Sequence, residues 1–158
     1  MSLRSLSLDL ERRAYTALRA RAERKSPQPP HLLTGERGED AAFFHLRALG
    51  YTVVARRWRS ERLAGDLDLV AWDGPTLVIF EVKSRTTRDF IAAEAAVNTG
   101  KQQMLRKMAA AYLHQLPAAF RAAVPVRFDV LSVYLLAADT ELEHLPNAFP
   151  RFQPASSM

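Results

Sequence analysis

Two apolar runs, Leu67–Trp72 and Leu77–Val82, flank the turn signal Asp73-Gly74-Pro75. Short apolar runs on either side of Gly and Pro predict a β-hairpin. The runs carry charge that an ordinary buried strand would not: Asp66 and Asp68 where the first begins, Glu81 and Lys83 where the second ends. A hairpin centred between Gly74 and Pro75 sets Asp68 opposite Glu81 and Asp66 opposite Lys83. Directly opposed side chains sit about 5 Å apart, so two carboxylates meet with a lysine beside them. Like charges so placed repel unless a cation compensates. A divalent metal ion is the obvious one, because hard cations take carboxylate oxygens.

Composition limits what else the chain can be. At 158 residues it predicts one domain with an appended segment. No apolar run approaches the roughly 18 residues of a membrane span, and no apolar core follows the basic N-terminal residues as a secretory signal requires. The absence of cysteine excludes disulfides, zinc-thiolate sites and thiol catalysis, and fits a reducing, cytoplasmic location. The net charge of +5 invites a nucleic-acid reading. Residues 1–30 hold seven arginines and lysines against three acids, so they carry +4 of that excess. Global charge is therefore weak evidence about the main domain.

Residues 8–24 hold good helix formers and no breaker, and Ser26-Pro27-Gln28-Pro29-Pro30 reads as a linker. Residues 1–30 are thus expected as a basic helical extension, 31–137 as an α/β domain and 138–158 as a tail with turns and at most a short strand. Gly35–Leu49 predicts a helix, with Ala42, Phe43, Leu46 and Leu49 at spacings of three and four. Tyr51–Trp58 predicts a strand, ending in the basic cluster Arg56, Arg57 and Arg59. Ala92–Ala96 begins a helix that Asn98-Thr99-Gly100 interrupts. A clearer helix runs from Lys101 to Leu116, with Met104, Leu105, Met108, Ala111, Tyr112 and Gln115 on its packed face. Val126–Leu136 is the last long apolar strand. The order αβββαβ predicts a mixed sheet flanked by helices, the last strand added parallel to a neighbour.

Residues two apart on a strand share a face. Glu81 and Lys83 therefore point the same way, and so do Asp66 and Asp68. Asp68, Glu81 and the backbone carbonyl of Val82 form a set that holds a metal, with Lys83 placed to orient a nucleophile or to stabilise charge on an attacked phosphate. That layout suits phosphodiester hydrolysis. The bland reading is an ordinary cross-strand acid–base cluster, and exposed pairs of that kind contribute little. Glu39 lies on or beside the apolar stripe of its helix. It is either a first-turn acid favoured by the helix dipole or part of the same site.

These residues resemble the PD-(D/E)xK nuclease signature, and the wider string resembles the YraN-like family of predicted bacterial endonucleases. The match is carried by Gly35-Glu36-Arg37-Gly38-Glu39, Leu49-Gly50-Tyr51, Gly65-Asp66-Leu67-Asp68-Leu69-Val70, Phe80-Glu81-Val82-Lys83-Ser84-Arg85, Lys101 and Arg127-Phe128-Asp129-Val130. The resemblance implies a restriction-endonuclease-like core related to Holliday-junction resolvases. It implies Asp68, Glu81 and Glu39 as ligands of Mg²⁺ or Mn²⁺, Lys83 as the catalytic lysine, and DNA as the substrate. The family more often has Glu where Asp66 stands, and Leu67 replaces the proline in the signature's name. Arg56, Arg57, Arg59, Arg85, Lys101 and Gln102 are candidates for phosphate contact, or else solvated surface. Asp129 reads as a structural pair with an arginine, Trp58 and Trp72 as packing, and the four histidines share no metal-binding spacing. Double-strand chemistry often uses a homodimer, but no interface is legible. The rival is a nuclease fold without catalysis that serves as a nucleic-acid-binding or partner-binding module.

Overall fold

The computed structural model describes residues 3–88 and 97–152. Its elements are α1 (Leu3–Lys25), α2 (Pro30–Leu49), β1 (Thr52–Trp58), β2 (Leu67–Asp73), β3 (Thr76–Arg85), α3 (Thr99–Leu113), α4 (Ala118–Arg121), β4 (Val126–Leu135) and β5 (Thr140–Phe149). The five strands form one sheet in the order β1-β2-β3-β4-β5. All neighbours are antiparallel except β3 and β4, which pair parallel from Leu77–Val126 to Arg85–Tyr134. A parallel pair cannot close through a tight turn, and α3 lies in the connection between those two strands. The chain is therefore an α/β protein with a mixed sheet and helices on its faces, as the order of elements predicts.

The sheet has two covered faces. On one, Leu105, Met108, Ala109 and Leu113 of α3 pack on Val70, Leu77, Ile79, Phe128 and Val130. On the other, Ala42 and Leu46 of α2 pack on Leu69, Ala71, Val78, Phe80, Leu131 and Val133. Burial on both sides is why Leu77 through Glu81 are all buried. Each large apolar side chain so covered contributes about 2 kcal/mol. Trp58 sits edge-on to Tyr112 at 5.3 Å between ring centroids, a packing role. No helix among the described residues is long and apolar enough to cross a membrane.

Several elements differ from the sequence expectation: α1 begins at Leu3 rather than Leu8, the short α4 was not expected, and α2, α3 and β5 depart in ways that have a physical reason. Helix α2 starts at Pro30 rather than Gly35, because a proline at the first helical position loses no hydrogen bond and arrives with helical φ. Helix α3 starts at Thr99 and ends at Leu113, and its packed face uses Ala109 and Leu113 where Ala111 and Gln115 were expected. Asn98, expected to interrupt a helix, caps one: its side-chain oxygen accepts the Lys101 amide at 2.9 Å. The expected helical stretch Ala92–Ala96 lies outside the described residues. The segment expected to hold at most a short strand forms the ten-residue β5. Its alternation is broken by Pro146 and by Asn147 at φ 53°, a bulge that hides the pattern.

Asp129 explains how β5 is held. It is buried on β4 and accepts from Arg127 at 2.8 and 2.9 Å, from His144 Nε2 at 2.8 Å and from the Asn147 amide at 2.9 Å. The bulge frees that amide from the strand ladder. Burial works against the charged carboxyl, but the His144, Arg127 and Asn147 bonds outweigh it and hold Asp129 below its ordinary range. Removing one partner of such a cluster strands the others. We expect Asp129→Ala to cost about 3–5 kcal/mol in urea denaturation. A folded-state pKa below the unfolded one contributes stability above the ordinary carboxylate range. That contribution should be lost as pH falls below about 4, and the wild-type and Asp129→Ala curves should converge in acid.

Candidate active site

The β2–β3 register is the one the turn predicts: Leu69 faces Phe80, Val70 faces Ile79 and Trp72 faces Leu77. The paired ladder stops at Leu69–Phe80. Just beyond it the Asp68 carboxylate accepts the Val82 amide at 2.8 Å, so a side chain takes over from the backbone where the strands part. Glu81, the next residue on β3 after Phe80, is only 3% exposed. Two ammonium groups converge on it, Lys83 Nζ at 2.8 Å from Oε1 and Lys101 Nζ at 3.0 Å from Oε2. Oε2 is nonetheless buried without a well-directed hydrogen bond. The Lys101 contact is close enough to be ionic but poorly aimed, so the oxygen is neutralised rather than satisfied.

Electrostatics mark the same spot. Burial and the neighbouring Glu81 push the Asp68 carboxyl up to about 7, against the Val82 amide and Lys101, which favour its charge. Two carboxylates in a desolvated site want a cation between them. Their oxygens are hard donors of the kind Mg²⁺ and Mn²⁺ prefer, and Glu81 Oε2, which has an ionic contact with Lys101 but no hydrogen bond, is under-satisfied. The residues fit such an ion.

Helix α2 brings Glu39 to the rim of this site. Gly38 lets the helix touch β3, since a Cβ there would lie 1.7 Å from Ser84 Oγ and 2.7 Å from Ser84 Cβ. Glu39 and Lys83 line one cleft of about 530 Å³, together with Thr34, Ser84 and Arg85. The Glu39 carboxylate, however, is bonded to Arg57 Nε. Among the described residues no three Asp, Glu, His or Cys side chains stand close enough to share an ion. The expected acids thus divide: Asp68 and Glu81 come together, and Glu39 stays at the edge. A second cavity, about 620 Å³ between α1 and α2, contains none of these three residues or lysines.

The remaining candidates are placed as follows. Arg56 pairs with Asp40 and stacks over Phe43 at 4.6 Å. Arg57, at φ 47° in the left-handed region, joins Glu39 and Glu36. Arg59 is exposed, 3.9 Å from Asp66. Arg85 lines the cleft. Gln102 Nε2 donates to the Val97 carbonyl at 3.0 Å. Lys83 turns to Glu81 and not to Asp66, which the extended register would have offered. Sequence reasoning missed the Lys101–Glu81 contact, because no spacing rule joins a helix start to a strand twenty residues earlier. It also missed Asp40, which accepts from Tyr15 at 3.0 Å and Arg19 at 2.6 Å; an acid beside Glu39 gives no signal of burial.

The profile of a family described as "Uncharacterised protein family UPF0102" matches residues 38–133. A UPF0102 protein of Koribacter versatilis is 45% identical over 77% of this chain and 82% of its own length. One of Solibacter usitatus is 43% identical over 73% and 84%, and one of Porphyromonas gingivalis 40% identical over 73% and 83%.

A carboxyl held protonated well above its ordinary value costs stability when it ionises. Between that value and about 7 the folded state binds more protons than the unfolded state, so stability falls as pH rises through this interval. We expect Asp68→Asn, which keeps an acceptor for Val82, to stabilise the metal-free protein by on the order of 1–2 kcal/mol at neutral pH. Urea denaturation in chelator should show the gain shrinking as the buffer is acidified.

Proposed function

The chain belongs to UPF0102, the YraN-like family, and on that premise we propose that it is a metal-dependent nuclease that hydrolyses phosphodiester bonds in DNA, branched or damaged DNA included. The observation that carries this reading is the buried meeting of Asp68 and Glu81 on adjoining strands with Lys83 at 2.8 Å from Glu81. The arrangement supplies the parts such hydrolysis needs. Asp68, Glu81 and the Val82 carbonyl would hold Mg²⁺ or Mn²⁺. A bound divalent ion acidifies water and neutralises phosphate oxygens. Lys83 keeps its ammonium at the mouth of the cleft, where it orients the attacking water or holds charge on the phosphate. Glu39 lines that cleft and is a further ligand if Arg57 releases it.

Binding would come from the surrounding cations. Arg59 lies 3.9 Å from Asp66, Arg85 lines the cleft with Lys83, and Lys101, beside Gln102 at the start of α3, reaches Glu81. Arg56 and Arg57 already hold Asp40 and Glu39, and would reach phosphates by exchanging those partners. One such site cuts one strand, so cleavage of a duplex calls for a homodimer.

One observation favours the rival, a binding module without catalysis: Lys83 and Lys101 already neutralise Glu81, and Arg57 already holds Glu39. The discriminating assay offers purified protein plasmid, branched and single-stranded DNA with Mg²⁺, Mn²⁺ or chelator. We expect metal-dependent cleavage that falls by on the order of 100-fold in Glu81→Ala and in Lys83→Ala. Cleavage equal in all three proteins would remove the site. Salt-sensitive binding with no cleavage under any metal would support the module.

A further inference from the structure

Lys101 stands where its own helix disfavours it. It lies in the first turn of α3, where the aligned peptide dipoles repel cations, and that turn contains no acid. What accounts for the position is Glu81, whose Oε2 is 3.0 Å from Lys101 Nζ. The two lysines on Glu81 are not equivalent. Lys83 shares a strand and a face with Glu81, two residues away, and meets Oε1 at 2.8 Å. Lys101 comes from a different element, meets an oxygen that has no well-directed hydrogen bond, and remains 27% exposed. Its ammonium rides on a flexible four-carbon stem with access to water.

We propose that Lys101 is a placeholder for the metal: it neutralises Glu81 Oε2 in the metal-free protein, yields that oxygen to a divalent ion bound between Asp68 and Glu81, and turns its freed ammonium to the phosphate of the bound DNA. The last step rests on the nuclease reading; the first two do not. At the mildly alkaline pH where Asp68 is already ionised, the exchange moves no proton and breaks no covalent bond. The ammonium keeps its charge and gives up one ionic contact, and the ion brings two charges where one stood. Without Lys101 the buried pair would face each other with one cation fewer, a costly arrangement in a desolvated site. With Lys101 in place, metal must displace it to reach Oε2. The residue therefore stabilises the empty protein and weakens metal binding.

That combination has a signature that an ordinary structural ion pair lacks. Calorimetric titration with Mn²⁺ alone, at mildly alkaline pH on chelator-stripped protein, should show Lys101→Met binding about 10-fold more tightly than wild type. Lys107→Met, an exposed lysine on the same helix, should bind as wild type does. Cleavage by Lys101→Met should fall even though its metal site fills more readily. Lys101→Gln should behave alike, and each variant should give the circular dichroism spectrum of the folded wild type. Mn²⁺ affinity that is unchanged or weaker in folded Lys101→Met and Lys101→Gln, with wild type binding normally, would overturn the placeholder while leaving the nuclease reading intact. Tighter binding with no cleavage by any variant would keep the placeholder and remove the nuclease reading.

Discussion

Two carboxylates pressed together without enough water to screen them form the constraint around which this end of the molecule is organised. The hairpin register puts Asp68 beside Glu81, and burial and that neighbour raise the cost of charging Asp68. Everything nearby answers that cost. The Val82 amide bonds Asp68, and Lys83 and Lys101 meet Glu81 from a strand and a helix. A core strand gains nothing in stability from such a pair, since apolar residues of similar size would fill the space at less expense. Sites of that kind, locally unfavourable and supported from several elements, are where function is expected.

The fold was legible because its signals are local. The Asp73-Gly74-Pro75 turn set the register of β2 against β3, and apolar runs marked β1, β3 and β4. Proline misled in two places. At Pro30 it opened a helix and did not end a linker; at Pro146 it accompanied a bulge inside a strand. The site was legible as far as strand periodicity reaches, which covers Asp68, Glu81 and Lys83. Lys101 was named as a candidate, but its contact with Glu81 was not legible and neither was Asp40, because their partners lie on other elements and packing alone decides who meets whom. The pairing of Asp129 with an arginine was foreseen; His144 and the Asn147 amide were not, since they come from the strand the sequence hid.

Helix α2 joins the parts. Its inner face packs on the sheet, Gly38 seats it against Ser84, and its acids collect arginines from both sides. Arg19 of α1 pairs with Glu36 and Asp40, while Arg56 and Arg57 of β1 pair with Asp40, Glu36 and Glu39. The family profile begins at residue 38, so α1 lies before it, yet α1 docks through the same acids that fix the arginines of β1. Part of the basic excess of residues 1–30 is thus spent inside the molecule, which lowers what global charge says about binding.

The crossover between β3 and β4 also orders events in time. The β1–β2–β3 meander needs only short-range closure, which is entropically cheap, whereas pairing β4 against β3 spans the whole α3 connection. The acidic pair belongs to the meander and Lys101 to the connection. During folding, then, repulsion at the strand end is created early and relieved late. Within the meander Lys83 alone stands beside Glu81, so docking of α3 brings the second cation and carries an electrostatic reward beyond the apolar surface it buries.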